Sequence, residues 1–573
     1  MSSWMNWFPE RYQEEIDAYA HRSMAVIIDE ESRARGTLCL NVTLEEVGEL
    51  YKIRIVYPSL FPFFAPKAFL LERKLSRHYH PESCNLCLLG RGTHQWSSDD
   101  KFADVVAERF PTILKINQTS DESFIKAAEE PQGEPYSEYF NGNGVPDSAI
   151  IYHSGWEIDS SRKMGTAVLR VAGTTHDKRR LAPIRGYVAE LRNNGDTLVQ
   201  WPGPQIPNFS RELKMPWVLL DEKPEGARLS LLNQLTEQQK IHVGWKELGK
   251  NKSITFLFIF QEEIEQFVYK QSIGCISIYV RPGVDQQAKK TSHQVWHQRT
   301  FRAGREELWA RMPGLSDLTT KKVGVFGTGA IGAPVALELA RAGVGTLRVI
   351  DFDYVEPATV RRWPFGVSAF GLMKIDVLAE NICNDYPWTQ VEKFPLNVGE
   401  ISADPTENQF QQILDIMQDL DLIIDTTAEN GVNEILATIS SQLKRPFLVA
   451  SGTPGAWGGY VARFKNDQQD ACWNCLMHDF YGEKRADDLP PADPEGTRQP
   501  PGCPAITFTG TAVDLAEISL EVVRSAFGLL TSKYPSPSEQ ISILSLRQDD
   551  GSRSAPQWLV RHIARLGRCK CQS

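Results

Sequence analysis

A glycine-rich stretch in the second half of this 573-residue sequence has the residue types and spacing to bind phosphate. Gly327, Gly329 and Gly332 follow the spacing G-x-G-x-x-G between an apolar strand pattern and a helical pattern. Glycine lets the backbone approach a phosphate closely, and the start of the helix offers free N–H groups to it. Asp351, at the end of the next strand pattern, suits a ribose hydroxyl. The spacing therefore predicts a nucleotide site, for NAD, FAD or ATP.

Two cations downstream of the acidic residue narrow the choice of nucleotide. Arg362 and Lys374 follow Asp351 in the stretch DFDYVEPATVRRWPFGVSAFGLMK. Two positive charges beside a triphosphate suit a reaction at the α-phosphate, where negative charge builds up. Hydride transfer has no use for them. The pattern therefore favours ATP and makes a dehydrogenase the poorer alternative.

The region from about 300 to 530 resembles the adenylating domains of the ubiquitin-activating, MoeB and ThiF superfamily. The resemblance rests on the glycine loop, on D-x-D at Asp351 and Asp353, on the downstream cations, and on IIDTTAEN where the family has D-x-T-D-N. It implies that MgATP adenylates the C-terminal carboxylate of a small protein. Asp351 would hold the ribose, Asp353 would belong to the same cofactor set, and Arg362 and Lys374 would neutralise phosphates.

The same resemblance implies a magnesium ligand and a dimer. Glu429, or Asp425 before it, would replace the metal-binding Asp of T-D-N. Family members are homodimers through this domain, and an arginine of one subunit enters the site of the other. Four arginines precede the glycine loop, and the second and third are the first candidates: Arg299, Arg302, Arg305 and Arg311. Each of them alone is better explained as a charge on a helix surface.

Four cysteines near the C-terminus form two close pairs, C-x-x-C at Cys472 and Cys475 and C-x-C at Cys569 and Cys571. Four thiolates are the ligand set of a closed structural zinc site, whose tetrahedral coordination joins loops together. MoeB-like proteins, which this region resembles, carry zinc at a comparable position. The alternative is a pair of buried thiols and a frayed chain end.

Cys503 stands apart from these pairs, between a Pro-rich stretch at 483–502 and a long helical pattern. Thiolates are stabilised near helix N-termini, and a mobile loop can carry a nucleophile to an adenylate. In the activating enzymes a cysteine of the corresponding region captures the acyl group as a thioester. The resemblance implies that role for Cys503, with a buried structural cysteine as the alternative.

The N-terminal stretch YHPESCNLCLLGRGTHQWSS holds another C-x-x-C, at Cys84 and Cys87. Half of a metal site, half of a disulfide and one nucleophilic cysteine are the possibilities. The only other ligands nearby are His78, His80 and His94. The stretch resembles the central signature of ubiquitin-conjugating enzymes, with matches at Tyr57-Pro58, Pro66, His80-Pro81, Cys87-Leu88 and Trp96-Ser97. The register implies that Cys87 is the thioester-bearing nucleophile.

One position of the conjugating signature departs from the family. Glu82 stands where the family has the Asn of H-P-N, which stabilises the oxyanion when an amine attacks. A carboxylate would repel that oxyanion. His80, a backbone N–H group or Asn85 are the candidates to replace the missing amide.

The elements that must position these residues fall into an overall α/β arrangement. Residues 1–130 show a helix, alternating strands and a closing helix, as expected for a conjugating-like α/β domain, and 131–148 has the composition of a linker. Residues 149–292 are strand-rich and group no residues for chemistry. Residues 293–573 alternate strands and helices, which predicts a Rossmann-like adenylating domain with a mainly parallel sheet.

Composition excludes several classes of protein. The net charge of -10 argues against nucleic acid as a partner. No apolar run reaches the roughly 18 residues of a membrane helix, and the N-terminus lacks the apolar core of a signal peptide. The expected location is therefore the cytoplasm. In that compartment the ten cysteines are expected as thiols, zinc ligands or catalysts rather than disulfides.

The order of parts resembles the bacterial fusion of ubiquitin-conjugating and ubiquitin-activating enzymes in CBASS antiphage operons, which attaches a cGAS-like nucleotidyltransferase to other molecules through its C-terminus. It implies adenylation, thioester capture by Cys503, transfer to Cys87 and delivery to an amine, expected to be lysine. One alternative is a MoeB- or ThiF-like enzyme that charges a sulfur-carrier protein. Another is a non-catalytic ATP-binding scaffold, for which the best evidence is Glu82, Thr359 where the family has Asn, and the missing aspartate of T-D-N.

Overall fold

The computed structural model describes residues 3–573 apart from a set of short stretches. Those stretches are 91–94, 120, 122, 125–134, 141–144, 146, 173–183, 225, 227, 251, 266–269, 286–289, 402–407, 467–470, 483–487, 500–505, 536–537, 549, 568 and 570–573. Cys503, Cys571 and His94 lie outside the described residues. The chain falls into two compact units, Met1–Pro202 with Phe209–Gly304, and Gly203–Asn208 with Arg305–Ser573.

The first unit begins with an antiparallel sheet and the helices that flank it. The helices are α1 (Trp4–Trp7), α2 (Pro9–His21), α3 (Glu30–Ala34) and α4 (Phe102–Gln118), and the strands are β1 (Ala25–Ile28), β2 (Cys39–Glu46), β3 (Glu49–Val56), β4 (Lys67–Leu70) and β5 (Asn85–Leu86). The strands pair in sequence order. Alternate residues of β2 and β3, such as Val42 and Ile53, are buried in one cluster with Phe110 of α4. Burial of one face of the sheet under α4 thus forms the core of this part.

The rest of the first unit is built on a second sheet, here called the middle sheet. Its strands are β6 (Ala149–Tyr152), β7 (Met164–Val171), β8 (Arg185–Asn193), β9 (Asp196–Gln200), β10 (Arg211–Leu219), β11 (Ile254–Glu265), β12 (Lys270–Asp285) and β13 (Lys290–Arg302), with short helices α5 (Arg228–Leu231), α6 (Glu237–His242) and α7 (Trp245–Leu248). The strand order is β6-β13-β12-β11-β10-β7-β8-β9, and β6 also pairs with β8, so that seven strands close into a ring.

Alternation along β11 shows how the middle sheet is buried on both faces. Phe258 belongs to an apolar cluster with Tyr136, whereas its neighbour Leu257 belongs to a different cluster with Trp217. Successive side chains of a strand point to opposite faces. The run ITFLFIF is therefore apolar throughout because each face of β11 packs in an apolar cluster.

The second unit is an α/β domain on an eight-stranded sheet. Its strands are β14 (Lys322–Phe326), β15 (Thr346–Ile350), β16 (Gln390–Phe394), β17 (Leu422–Asp425), β18 (Phe447–Gly452), β19 (Gly458–Phe464), β22 (Ile541–Arg547) and β23 (Arg553–Arg561), and a separate pair is formed by β20 (Thr497–Arg498) and β21 (Thr507–Phe508). Its helices are α8 (Arg305–Trp309), α9 (Gly332–Arg341), α10 (Lys374–Asp385), α11 (Gln409–Met417), α12 (Asn430–Leu443), α13 (Trp473–Tyr481) and α14 (Ala512–Leu530).

The order of this sheet places the predicted nucleotide residues at one edge. The order is β16-β15-β14-β17-β18-β19-β22-β23, in which the first five strands are parallel and the last three are antiparallel additions. The strand order reverses at β14. β15 and β16 lie on one side of β14, and β17 and β18 lie on the other side. Ligands bind open α/β sheets at the carboxyl ends of strands where the order reverses. The prediction of a Rossmann-like C-terminal region is confirmed.

No helix among the described residues combines the length and the apolar character needed to cross a bilayer.

Candidate functional site

The glycine loop connects the end of β14 to the start of α9 in a tight turn. Gly327 has a φ of +80°, which other residues rarely adopt. A Cβ atom at Gly332 would lie 1.9 Å from the carbonyl oxygen of Gly327, so only glycine fits there. A Cβ atom at Gly329 would meet nothing within 4 Å. The loop is therefore closed by its outer glycines and open at the middle one, where a phosphate could approach the backbone.

Asp351 holds the glycine loop to the end of β15. Its Oδ2 accepts hydrogen bonds from the backbone N and the hydroxyl of Thr328, at 2.6 and 2.9 Å, and its Oδ1 accepts one from the backbone N of Asp353 at 2.9 Å. The side chain is buried. The contact with a ribose stays a prediction, and the observed contacts give Asp351 a second task inside the protein. Sequence reasoning missed Thr328, although a hydroxyl inside a glycine loop is a readable signal.

The two predicted cations both lie near this loop and have different partners. Lys374 begins α10, and its Nζ lies 2.6 Å from Oδ2 of Asp353, whose own side chain is half exposed. Arg362 donates a hydrogen bond to the carbonyl oxygen of Phe508 at 2.7 Å and lies over the Phe508 ring at 5.4 Å. Burial lowers the pKa of Arg362. Lys374 thus contacts an acid of the loop region, whereas Arg362 is held by Phe508.

Trp363 connects the Arg362 segment to the glycine loop. Its indole Nε1 donates a hydrogen bond to the carbonyl oxygen of Thr328 at 2.8 Å, and its side chain is buried. Thr328 therefore contacts Asp351 through its N–H and hydroxyl and Trp363 through its carbonyl. Hydrogen bonds in series run from Lys374 through Asp353 and Asp351 to the loop.

The two acids considered for magnesium lie in different surroundings. Asp425 ends β17 and is fully buried, with its oxygens accepting hydrogen bonds from Thr427 and from the Asn433 amide at 2.6 Å. Burial, opposed by these hydrogen bonds, raises the pKa of Asp425 to about 6. Glu429 is exposed at the start of α12. Magnesium prefers ionised, accessible oxygen ligands, so Glu429 fits the metal better than Asp425 does.

Three of the four predicted zinc ligands converge in the second unit. Sγ of Cys472 lies 3.8 Å from Sγ of Cys475 and 3.3 Å from Sγ of Cys569, and all three sulfurs lie within 4.8 Å of one another. Zinc–sulfur bonds of about 2.3 Å in a tetrahedron require sulfurs roughly 3.8 Å apart. The backbone N of Leu566 also donates to Sγ of Cys475 at 3.4 Å. The donors fit zinc, and zinc binding stays a prediction.

In the first unit, Cys87 follows β5 and exposes its thiol. Leu86 and Leu88 on either side of it are buried, so the alternation of an extended chain turns Cys87 outward. The backbone N of Cys87 donates to the carbonyl oxygen of His78 at 2.9 Å. Cys84 is partly buried and has a φ of +61°. The geometry agrees with the choice of Cys87 over Cys84 as the accessible nucleophile.

One candidate for the missing oxyanion donor, His80, is engaged elsewhere. His80 Nδ1 accepts hydrogen bonds from the backbone N–H groups of Glu82 and Ser83, both at 3.2 Å. That assignment places the ring proton on Nε2, which donates to the carbonyl oxygen of Tyr139 at 3.2 Å. The amide oxygen of Asn85 is buried. His80 is therefore not available to an oxyanion, which leaves the Asn85 amide N and a backbone N–H as candidates.

The arginines proposed to cross a dimer differ in their exposure and in their partners. Arg302 belongs to β13 of the first unit, where it pairs with Glu262 and donates to the Tyr152 hydroxyl at 3.2 Å. Its side chain is only 8% exposed. Arg302 is therefore a poorer candidate than Arg305 for the crossing arginine, because its guanidinium is already paired inside its own unit. Arg305 and Arg311 are exposed.

Comparison with known proteins identifies the family. Residues 305–542 match the ThiF family. The uncharacterized protein y4oA of Sinorhizobium fredii is 31% identical over 99% of this chain and 97% of that protein. The chain belongs to one family with y4oA, and its residues 305–542 form a ThiF-family domain.

Two further relatives match about a third of the chain. The probable adenylyltransferase/sulfurtransferase MoeZ of Mycobacterium tuberculosis is 28% identical over 32% of this chain and 44% of that protein. The ATP-dependent ubiquitin transferase-like protein Cap2 of Vibrio cholerae is 27% identical over 31% of this chain and 30% of that protein. Each match therefore covers less than half of the relative and about a third of this chain.

Proposed function

We propose that this chain activates the C-terminal carboxylate of a partner protein by adenylation with ATP. The observation that carries the proposal is the set of contacts from Lys374 through Asp353 and Asp351 to the glycine loop, with Arg362 beside it, in a ThiF-family domain. Relatives named as an adenylyltransferase and as an ATP-dependent transferase support it. Both names describe chemistry that begins with ATP.

In this proposal each group of the site has a task. A carboxylate oxygen of the partner attacks the α-phosphorus of ATP, a phosphorus–oxygen bond forms, and the bond to pyrophosphate breaks. Arg362 and Lys374 oppose the charge that grows on the phosphate oxygens. The contact of Thr328 with Asp351 keeps the N–H groups of the loop directed at the phosphates. Mg²⁺ would add charge neutralisation, with Asp353 and Glu429 as its accessible carboxylates.

The acyl group of the adenylate then passes to thiols. Cys503 attacks the acyl carbon, a carbon–sulfur bond forms, and AMP leaves. Phe508, whose carbonyl accepts the hydrogen bond of Arg362, follows Cys503 by five residues. Exchange onto the exposed thiol of Cys87 and attack by an amine complete the relay.

The partner and setting follow from the fusion family that the sequence resembles. The partner of this proposal is a cGAS-like nucleotidyltransferase that presents its C-terminus, the acceptor is a lysine amine, and the setting is antiphage defence in the cytoplasm. The similarity to Cap2 and the exposed Cys87 support this version. The chain would act as a homodimer through its ThiF-family domain, with Arg305 or Arg311 as the crossing arginine.

One observation favours a second function. MoeZ, named as an adenylyltransferase and sulfurtransferase, matches about as much of the chain as Cap2 does. An enzyme that charges a sulfur-carrier protein would use the nucleotide site of the second unit and would need neither Cys87 nor the middle sheet. Replacing Cys87 with alanine would leave that activity unchanged, and it would abolish the final transfer in the relay.

Adenylation is tested by exchange of labelled pyrophosphate into ATP, with a lysate of the host cells as the source of the partner. Arg362→Ala should reduce the exchange by about 100-fold, because a charge on the transition state loses its partner. Arg361→Ala, which removes the exposed neighbouring arginine, is the matched control and should exchange like the wild type. Cys87→Ala should also exchange normally.

Two results would contradict adenylation at this site. Exchange that survives in Arg362→Ala would place the reaction elsewhere. ATP binding without any exchange in the wild type, under every partner fraction tried, would leave the chain as a nucleotide-binding scaffold.

A further inference from the structure

Two consecutive acidic residues of β11, Glu262 and Glu263, make different contacts within the first unit. Glu262 is 2% exposed, and it accepts hydrogen bonds from the backbone N of Ser137 at 3.0 Å and from the Ser137 hydroxyl at 2.7 Å. It also pairs with Arg302 of β13. A buried carboxylate is stable only when it is paired and hydrogen-bonded. Glu262 therefore fixes Ser137 on the middle sheet.

The short 3-10 helix Tyr136–Phe140, which contains Ser137, connects this sheet to the loop that carries Cys87. The hydroxyl of Tyr136 donates to the carbonyl oxygen of Gly226 at 2.6 Å, within the same part of the unit. The carbonyl oxygen of Tyr139 accepts the hydrogen bond of His80, and the two rings lie 5.2 Å apart. The Cys87 loop, defined here as residues 77–88, is thus held at His80 by Tyr139.

Glu263 holds the loop at a second point. Its Oε2 lies 2.7 Å from the guanidinium of Arg77, and the two side chains are 26% and 19% exposed. The backbone of Arg77 is held in addition by Asn117 of α4, through bonds of 3.0 and 3.2 Å. The next residue, His78, supplies the carbonyl that accepts the N–H of Cys87. The ion pair therefore lies one residue from the backbone contact that fixes Cys87.

From these contacts we infer that the middle sheet positions the Cys87 loop, with Glu263 and Ser137 as positioning residues. The inference rests on the proposed role of Cys87 in acyl transfer. Two contacts from outside the conjugating-like part, at Arg77 and at His80, determine where the exposed thiol stands. Misplacement of a reacting group by about 1 Å can cost 100-fold in rate. The sheet contributes no reacting atom.

The test exchanges the charges of the Arg77–Glu263 pair and needs no ATP in its first part. Arg77→Glu and Glu263→Arg each place like charges face to face, and the double variant restores an opposite pair. Amide hydrogen exchange at residues 78–88 should be about tenfold faster in each single variant and should return to within about twofold of wild type in the double variant. Glu263→Gln, which removes the charge without repulsion, should show a smaller change in the same direction.

The second part measures transfer of the acyl group to Cys87 beside pyrophosphate exchange. The single variants should slow the transfer to Cys87 by about tenfold and leave pyrophosphate exchange unchanged, with recovery of the transfer in the double variant. Glu212→Arg, on β10 of the same sheet and paired with Arg170 at 3.9 Å, is the matched control. It should change neither quantity.

The outcomes separate this inference from the proposed function. Wild-type hydrogen exchange in both single variants, or a double variant that fails to recover, would overturn the positioning role. Hydrogen exchange that responds as expected in a chain that never carries an acyl group on Cys87 would support the structural link and contradict the relay. Loss of pyrophosphate exchange together with transfer would also overturn the inference, because the effect would not be confined to Cys87.

Discussion

The nucleotide site of the second unit and the Cys87 loop of the first unit are built in different ways. In the nucleotide site, Thr328, Asp351 and Asp425 each lie at or just after the end of a parallel strand. In the Cys87 loop, His80 bonds to a residue 59 positions away and Arg77 pairs with one 186 positions away. The first site is formed at neighbouring strand ends of one domain, although Arg362 bonds to Phe508, 146 positions away, whereas the second depends on a separate sheet. Changes at either site should therefore leave the other intact.

Removal of the predicted zinc should have the largest effect on stability, and the effect should be confined to the second unit. Cys475→Ser should abolish bound zinc and lower the thermal midpoint of the second unit by about 10 °C, because a structural metal joins α13 to the chain end. Metal analysis and thermal unfolding of the purified chain check this result. Hydrogen exchange in the Cys87 loop should not change. Cys383→Ser, at an exposed thiol of α10, is the control; a metal-free wild type would contradict the prediction.

Two alanine substitutions in the glycine loop separate folding from binding. Gly332→Ala should destabilise the second unit by about 2–3 kcal/mol, since the new Cβ meets the backbone oxygen of Gly327. Gly329→Ala should change the free energy of unfolding by less than about 0.5 kcal/mol. It should nevertheless weaken MgATP binding about tenfold, because its Cβ points into open space that the phosphates would occupy. Calorimetric titration measures the binding, and unchanged affinity in Gly329→Ala would place the nucleotide elsewhere.

The buried Asp425 predicts a pH dependence of stability for the second unit. Its pKa is about 6 in the folded chain and about 3.9 in an unfolded chain. Between these values the folded chain holds a proton that the unfolded chain has released, so the free energy of unfolding falls as pH rises from about 4 to about 6. The loss is on the order of 3 kcal/mol and is complete above that window.

Denaturant unfolding of Asp425→Asn across this window tests the assignment. The substitution should remove most of the slope of stability against pH, because it removes the titrating group. Asp385→Asn, at an exposed residue of α10, should keep the slope. The assignment fails if the Asp425→Asn protein has the same slope as the wild type.

The same contrast explains what the sequence could predict. Gly327, Gly332, Asp351 and Lys374 lie near one another, because the motif and the strand ends set their positions through chain geometry that the sequence pattern reveals. The register of the conjugating signature selected Cys87, whose thiol is exposed between two buried leucines. These features depend on neighbours in the sequence.

What the sequence did not reveal depends on distant contacts. Arg302 looked like a surface charge near the glycine loop, but it pairs with Glu262 across the middle sheet. His80 looked available, but the carbonyl of Tyr139 occupies its Nε2. Neither partner carries a motif, and the closure of seven strands into a ring is visible only in the pairing of β6 with β8. Cys503 and Cys571 lie outside the described residues, so their roles stay predictions.

The central claim is that the two sites act in sequence on one acyl group. The most direct measurement incubates the purified chain with MgATP and a host-cell lysate, denatures it without reductant, and identifies adducts that dithiothreitol removes. The account predicts adducts on both Cys503 and Cys87 in the wild type, an adduct on Cys503 alone in Cys87→Ala, and none in Cys503→Ala or Lys374→Ala. A Cys87 adduct that persists in Cys503→Ala, or the absence of all adducts while ATP still binds, would contradict it.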